Sequence, residues 1–209
     1  MAGEVAAGNL VDGGVKDRHV SGSAEIARTK LAQSALASFA QDLHALRVWD
    51  AVSSLLPSTG SSDDLGLYTG TFGSAASRAK TGDVKTLGAT TRRCRTLIQL
   101  PDNYEAGEDV QIRCLAGMET TVADTSATID VEAYEVQSDG TLSADLVTTS
   151  AASINSLTLA NKDFTLTATA LTPGATLDVR VSIATNDGAG ATAVIAVLAK
   201  LILRCDTRP

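Results

Sequence analysis

The sequence predicts a mainly β protein: an antiparallel β-sandwich, jelly-roll-like, preceded by an N-terminal arm with one or two short helices. Three observations lead there. Apolar and polar residues alternate with a period of two between residues 91 and 205. Turn residues interrupt that alternation about every dozen positions, the spacing of strands in a sandwich. Aromatic residues make up only 3% of a chain that is 44% hydrophobic, so its core must be built from Ala, Val, Ile and Leu.

The chain divides into an N-terminal arm and helix (1–56), a Gly/Ser-rich connecting segment (57–90) and the sandwich (91–209). The opening VDGGVKDRHVSGSAEIARTKLAQ (11–33) has glycines and charges before any apolar periodicity, and cannot pack on itself. Within 23–43, Ile26, Leu31, Leu36, Phe39 and Leu43 are spaced as a loose helix, whose first half could instead run extended. Over 42–56, Leu43, Leu46, Val48, Trp49, Val52, Leu55 and Leu56 recur at steps of three and four before Pro57, which predicts an amphipathic helix. Segment 57–90 is too long for a structureless loop in a compact domain, so it holds short strands or crosses a surface.

From residue 91 the strands follow in turn. In EDVQIRCLAGM, Val110, Ile112, Cys114 and Ala116 alternate with Gln111, Arg113 and Leu115. In ATIDVEAYEV (127–136), Ile129, Val131 and Ala133 face one way and Asp130, Glu132 and Tyr134 the other. The turn SDG (138–140) follows, then KDFTLTATAL (162–171), with Phe164, Leu166, Ala168 and Ala170 inward. TPG (172–174) turns into ATLDVRVSIAT, where Leu177, Val179, Val181 and Ile183 alternate with Asp178, Arg180 and Ser182. NDGAG (186–190) turns into TAVIAVLAKLIL (192–203), which is apolar on both faces and must be central or covered.

Net charge is −7, which argues against nucleic-acid binding. Residues 100–209 carry 15 acidic against 6 basic residues, while residues 57–99 carry 3 against 6. No run approaches the roughly 20 apolar residues of a membrane span, and the N-terminus lacks the pattern of a secretion signal, so the expected folding compartment is a cytoplasm. Cys94, Cys114 and Cys205 lie in or beside strands. They read as small buried apolar residues, with a Cys94–Cys114 bridge left open. There is no zinc spacing, no calcium-loop run, no nucleophile elbow and no phosphate loop. His19 and His44 both lie outside the sandwich. No catalytic residue, cofactor or metal is expected. Among the tyrosines, Tyr104 and Tyr134 are the two in β-rich territory and make a thin platform for a sugar.

The pieces DDLGLYTGTFG, GATTRRCRTLIQLP, AGMETTVADTSATIDVEAYE and SINSLTLANKDF resemble virion structural proteins of tailed bacteriophages, over roughly residues 46–200. The opening DRHVSGSAEIARTKL is similar to a short segment near the N-terminus of phage fibre and decoration subunits. The resemblance implies a virion β-protein with no catalytic residues. Its expected role is a capsid decoration (cement) protein, bound through an oligomer to the major capsid protein on the outside of the head. A trimer is favoured over a dimer. Ile26, Leu31, Trp49 and Leu56 are the expected inter-subunit or capsid contacts. The alternative is a tail-fibre or receptor-binding virion protein that recognises a host glycan or protein.

Overall fold

The computed structural model describes residues 36–188, 190 and 192–208. Among the described residues there are ten strands: β1 (Ala37–Gln41), β2 (Gly66–Tyr68), β3 (Arg78–Lys80), β4 (Gly88–Gln99), β5 (Val110–Met118), β6 (Ser126–Glu135), β7 (Ala152–Ser153), β8 (Ala160–Leu166), β9 (Thr176–Asp187) and β10 (Ala196–Cys205). One sheet has the order β2–β3–β10–β5–β8, with β1 also on β10; the other runs β4–β9–β6–β7. Every strand pairing is antiparallel. This is the expected antiparallel sandwich.

The alternation in the sequence becomes the inner face of each sheet. Cys94, Ile98, Ile129, Val131, Val179 and Val181 from one sheet share a buried cluster with Ile112, Cys114, Phe164, Leu201 and Leu203 from the other. Gly140 (φ 83) and Gly174 (φ 76) occupy the left-handed region in the turns at 138–140 and 172–174, where a side chain would be strained. The doubly apolar last strand is central. β10 lies between β5 on one side and β3 and β1 on the other, and Ala196, Val197 and Leu198 are buried in succession.

All three cysteines are free and buried, so Cys94 and Cys114 are not bridged. Burial pushes the Cys94 thiol up to about 12 and that of Cys205 to about 11; Cys114 is raised further, chiefly by burial. Native protein at pH 8 is therefore expected to resist a thiol reagent that labels all three cysteines after denaturation. One rapidly labelled equivalent would show a thiol reaching solvent.

The helix expected at 42–56 does not form. A single 3-10 turn spans Leu43–Ala45, with the Asp42 side chain accepting from the His44 backbone N–H. Beyond it Arg47 commits both its backbone groups to Arg95 of β4, at 2.8 and 3.0 Å, and the chain then turns back through residues 48–54, with Val48 N–H on Ser54 O at 3.1 Å. A helix would need those groups for its own ladder. The apolar stripe is correspondingly split: Leu43, Leu46 and Leu56 are buried, while Val52 and Leu55 face solvent. The second expected helix also fails where it can be seen, since Ala37–Gln41 is strand β1, paired with Leu201–Cys205. Ile26, Leu31 and the rest of residues 1–35 lie outside the described residues.

Segment 57–90 contributes β2 and β3 as a hairpin beside β10. Its Asp63–Leu65 stretch pairs alongside Arg93 of β4, through Arg93 N–H to Asp63 O at 2.7 Å and Leu65 N–H to Arg93 O at 2.9 Å. With Arg47, this closes the open edge of β4.

Candidate functional site

The outer face of the β4–β9–β6–β7 sheet carries a dense set of charged and hydroxyl side chains. Directly opposed residues of an antiparallel pair share a face. The register therefore lays out four rows: Leu97–Asp178–Tyr134, Arg95–Arg180–Glu132, Arg93–Ser182–Asp130 and Thr91–Ala184–Thr128. Arg95 forks onto Asp178 in the next row, with Nε to Oδ1 at 2.6 Å and Nη2 on Oδ2. Arg180 places Nε and Nη2 on Oε2 of Glu132. The Tyr134 hydroxyl donates to Oε1 of Glu132 at 3.4 Å.

Trp49 leans over this face from the loop beside β4. Its ring centre lies 5.2 Å from the Arg93 guanidinium carbon and 5.4 Å from that of Arg180, within cation–π range. Trp49 is half-buried. A cleft of about 190 Å³ is lined by Trp49, Arg95, Tyr134, Leu142, Asp178 and Arg180. Next to it, small Ser182 and Ala184 leave a second depression of about 300 Å³ walled by Arg93, Asp130, Glu132 and Arg180. Arg180 borders both, so the two adjoin as a shallow track along this face.

The side chains on the track are held before any ligand arrives. The Asp178 carboxylate keeps the Arg95 guanidinium above its usual range. Burial, then the charges of Glu132 and Asp145, raise the Asp130 carboxyl, and burial followed by Glu132 raises the Tyr134 phenol. The Trp49 loop is anchored where it starts: Arg47 is tied to β4, and the Trp49 backbone N–H reaches the Asp64 carboxylate. The other Asp64 oxygen, Oδ1, is buried without a hydrogen-bond partner.

Burial and the nearby Asp50 charge raise the Asp64 carboxyl. A carboxyl whose folded pKa exceeds its unfolded value costs stability when ionised, and that cost is relieved as pH falls through the folded pKa. Asp64→Asn is accordingly expected to leave neutral-pH stability equal or slightly higher, within about 1 kcal/mol. It should also remove this site's contribution to the pH dependence of the melting temperature below neutrality. A lowered melting temperature would mean that the carboxylate charge itself secures the Trp49 loop.

Of the contact residues expected from sequence, Ile26 and Leu31 lie outside the described residues, Leu56 belongs to the core, and Trp49 sits on the track. Tyr104 offers no platform: it is fully buried and its hydroxyl donates to the Glu108 carbonyl at 2.6 Å. Tyr134 is on the track. Sequence reading put Glu132, Tyr134, Asp178 and Arg180 on outward faces but not beside one another, and it did not single out Arg93 or Arg95. Among the described residues no group of three or more His, Cys, Asp or Glu side chains could hold a metal, and no helix is long and apolar enough to cross a membrane.

No family model and no curated protein matches this sequence. Solved structures align only loosely. The xylan-binding module CBM15 aligns at TM-score 0.40 and 15% identity, over 83% of this chain and 99% of its own. The CBM22-1 xylan-binding domain of Paenibacillus barcinonensis Xyn10C aligns at 0.37 and 12%, over 82% and 100%. The enzymatically active domain of tailspike protein 4 from bacteriophage CBA120 aligns at 0.32 and 14%, over 69% and 18%. Scores this low carry no argument about this chain.

Proposed function

We propose that this chain is a non-enzymatic virion protein whose outer β4–β9–β6–β7 face binds a glycan. The observation that carries the reading is Trp49, braced over Arg93 and Arg180 beside the Arg95–Asp178 and Arg180–Glu132 pairs. A sugar ring offers a C–H face for an aromatic ring and a rim of hydroxyls for charged donors and acceptors. Hydrogen bonds to charged groups are the stronger kind, and groups already fixed by their partners lose little entropy on binding. An open track also suits a chain of sugars better than an enclosed small molecule. The virion part of the reading rests on the resemblance of the sequence to tailed-phage structural proteins.

The test is an array of bacterial surface and plant polysaccharides probed with the full chain. Reproducible binding that is lost in Trp49→Ala supports the reading, and an array without hits counts against it.

Capsid decoration is the second reading, and one observation favours it. Phe72, at the tip of the β2–β3 hairpin, is fully exposed, as a side chain meant to insert into another protein would be. Co-sedimentation with purified phage heads, abolished by Phe72→Ser, would support it. Retention on heads irrespective of Phe72 would remove this observation's weight.

A further inference from the structure

Among the described residues the edges of both sheets are protected, with one exception. The β4 edge is taken by Arg47 and the Asp63–Leu65 stretch. The outer edge of β8 is covered by residues 146–149, through Thr148 N–H to Thr165 O at 2.9 Å and Thr167 N–H to Leu146 O at 2.7 Å. β7 is two residues long. β2 is three residues long, and its Leu67 N–H is bonded to the Pro57 carbonyl.

Strand β1 has none of these devices. It pairs with β10 along one side, Ala37 opposite Cys205 through Gln41 opposite Leu201. Along the other side it has no backbone partner among the described residues. None of its five residues is buried, and Phe39 keeps 36% exposure although it stands opposite buried Leu203. The Phe39 carbonyl accepts from the Gln41 side chain at 3.0 Å. The segment Ala-Ser-Phe-Ala-Gln holds no charge, proline or bulge. Such an edge is a template for another strand.

We propose that the occupant of this edge is β1 of a second copy, paired antiparallel about a two-fold axis through Phe39. The segment is close to self-complementary in that register. Phe39 meets its symmetry mate, Ser38 meets Ala40, and Ala37 meets Gln41. No like charges are opposed, and the two aromatic rings become cross-strand neighbours. The interface is isologous and closed, which limits growth to a dimer. It joins the two β10-containing sheets into one and leaves both Trp49 tracks, on the other sheet of each copy, open. Two five-residue strands bury less than a standard interface of about 1,200–2,000 Å², so the association is weak and concentration-dependent.

The full chain is measured by sedimentation velocity over a concentration series. Wild type is expected to pass from monomer to dimer. Phe39→Lys is expected to stay monomeric with an unchanged thermal melt, since the side chain is outside the core. A second readout uses engineered thiols. Phe39→Cys should oxidise to a covalent dimer across the axis. Ala37→Cys should close onto Cys205 of its own chain and run as a monomer on a non-reducing gel. Four results overturn the proposal: a monomer at every concentration, a trimer or other oligomer indifferent to Phe39→Lys, failure of Phe39→Cys to cross-link, or an interchain link between Ala37→Cys and Cys205. The last would mean that β1 is exchanged between copies instead of laid edge to edge.

Discussion

Phe164→Ala is expected to destabilise the sandwich by about 3–5 kcal/mol, the cost of deleting a fully enclosed aromatic ring. Phe164 is 0% exposed on β8, opposite Ile112 of β5, and with Tyr104 is one of the two largest fully buried side chains in a core that is otherwise largely aliphatic. Such a core has few bulky neighbours able to collapse into the void, which places the loss toward the upper end of that range. In a domain of this size each kcal/mol moves the melting temperature by about 2–4 °C, so the melt should fall by roughly 10 °C or more. Phe72→Ala is the internal control. Its ring is fully exposed, and the change should stay within about 0.5 kcal/mol. A Phe164→Ala protein that melts within a degree or two of wild type would mean that β8 does not seal the core.

The same contrast separates what was legible in the sequence from what was not. Period-two alternation is a local property, and it placed the inward residues of β5, β6 and β9 correctly because each of those strands packs one face against the core. Pairing is not local. From β4 onward the strands mostly alternate between the two sheets, so neighbours in the sequence are rarely partners in space, and nothing in the alternation says which strand is next to which. The site inherits that blindness. Glu132, Tyr134, Asp178 and Arg180 were visibly outward, yet only the β4–β9 and β6–β9 registers make Arg180 the common neighbour of Arg95 and Glu132.

The misread stretch 42–56 has a different cause. Steps of three and four between apolar residues arise there from two unrelated demands. Leu43, Leu46 and Leu56 fill the core, while Val52 and Leu55 sit on an exposed loop. A helical period is informative only when one face does the burying. Here a distant partner, the backbone of Arg95, outbid the local preference by taking the hydrogen bonds of Arg47. The tertiary contact that removed the helix is also the one that delivers Trp49 to the sheet.

Trp49→Ala should therefore abolish recognition while sparing the fold. The ring is half-buried and outside the core cluster, so its loss should cost the domain no more than about 1–2 kcal/mol, mainly the two cation–π contacts. Its effect on a ligand should be larger. Truncating a tryptophan at the centre of a contact typically costs 2 kcal/mol or more, at least about a 30-fold loss of affinity. Trp49→Phe should recover part of that, because a smaller ring still offers a stacking face. Arg95→Gln leaves the ring in place but strips Asp178, which is only 5% exposed, of the guanidinium forked onto it. Removing one member of a buried pair strands the other charge. This variant should lose both affinity and stability, where Trp49→Ala loses chiefly affinity. Isothermal titration with a glycan that binds wild type, beside a thermal melt of each variant, reads both quantities. If Trp49→Ala binds as tightly as wild type, the aromatic ring is only a brace for Arg93 and Arg180, and the face recognises its ligand through the ion pairs alone.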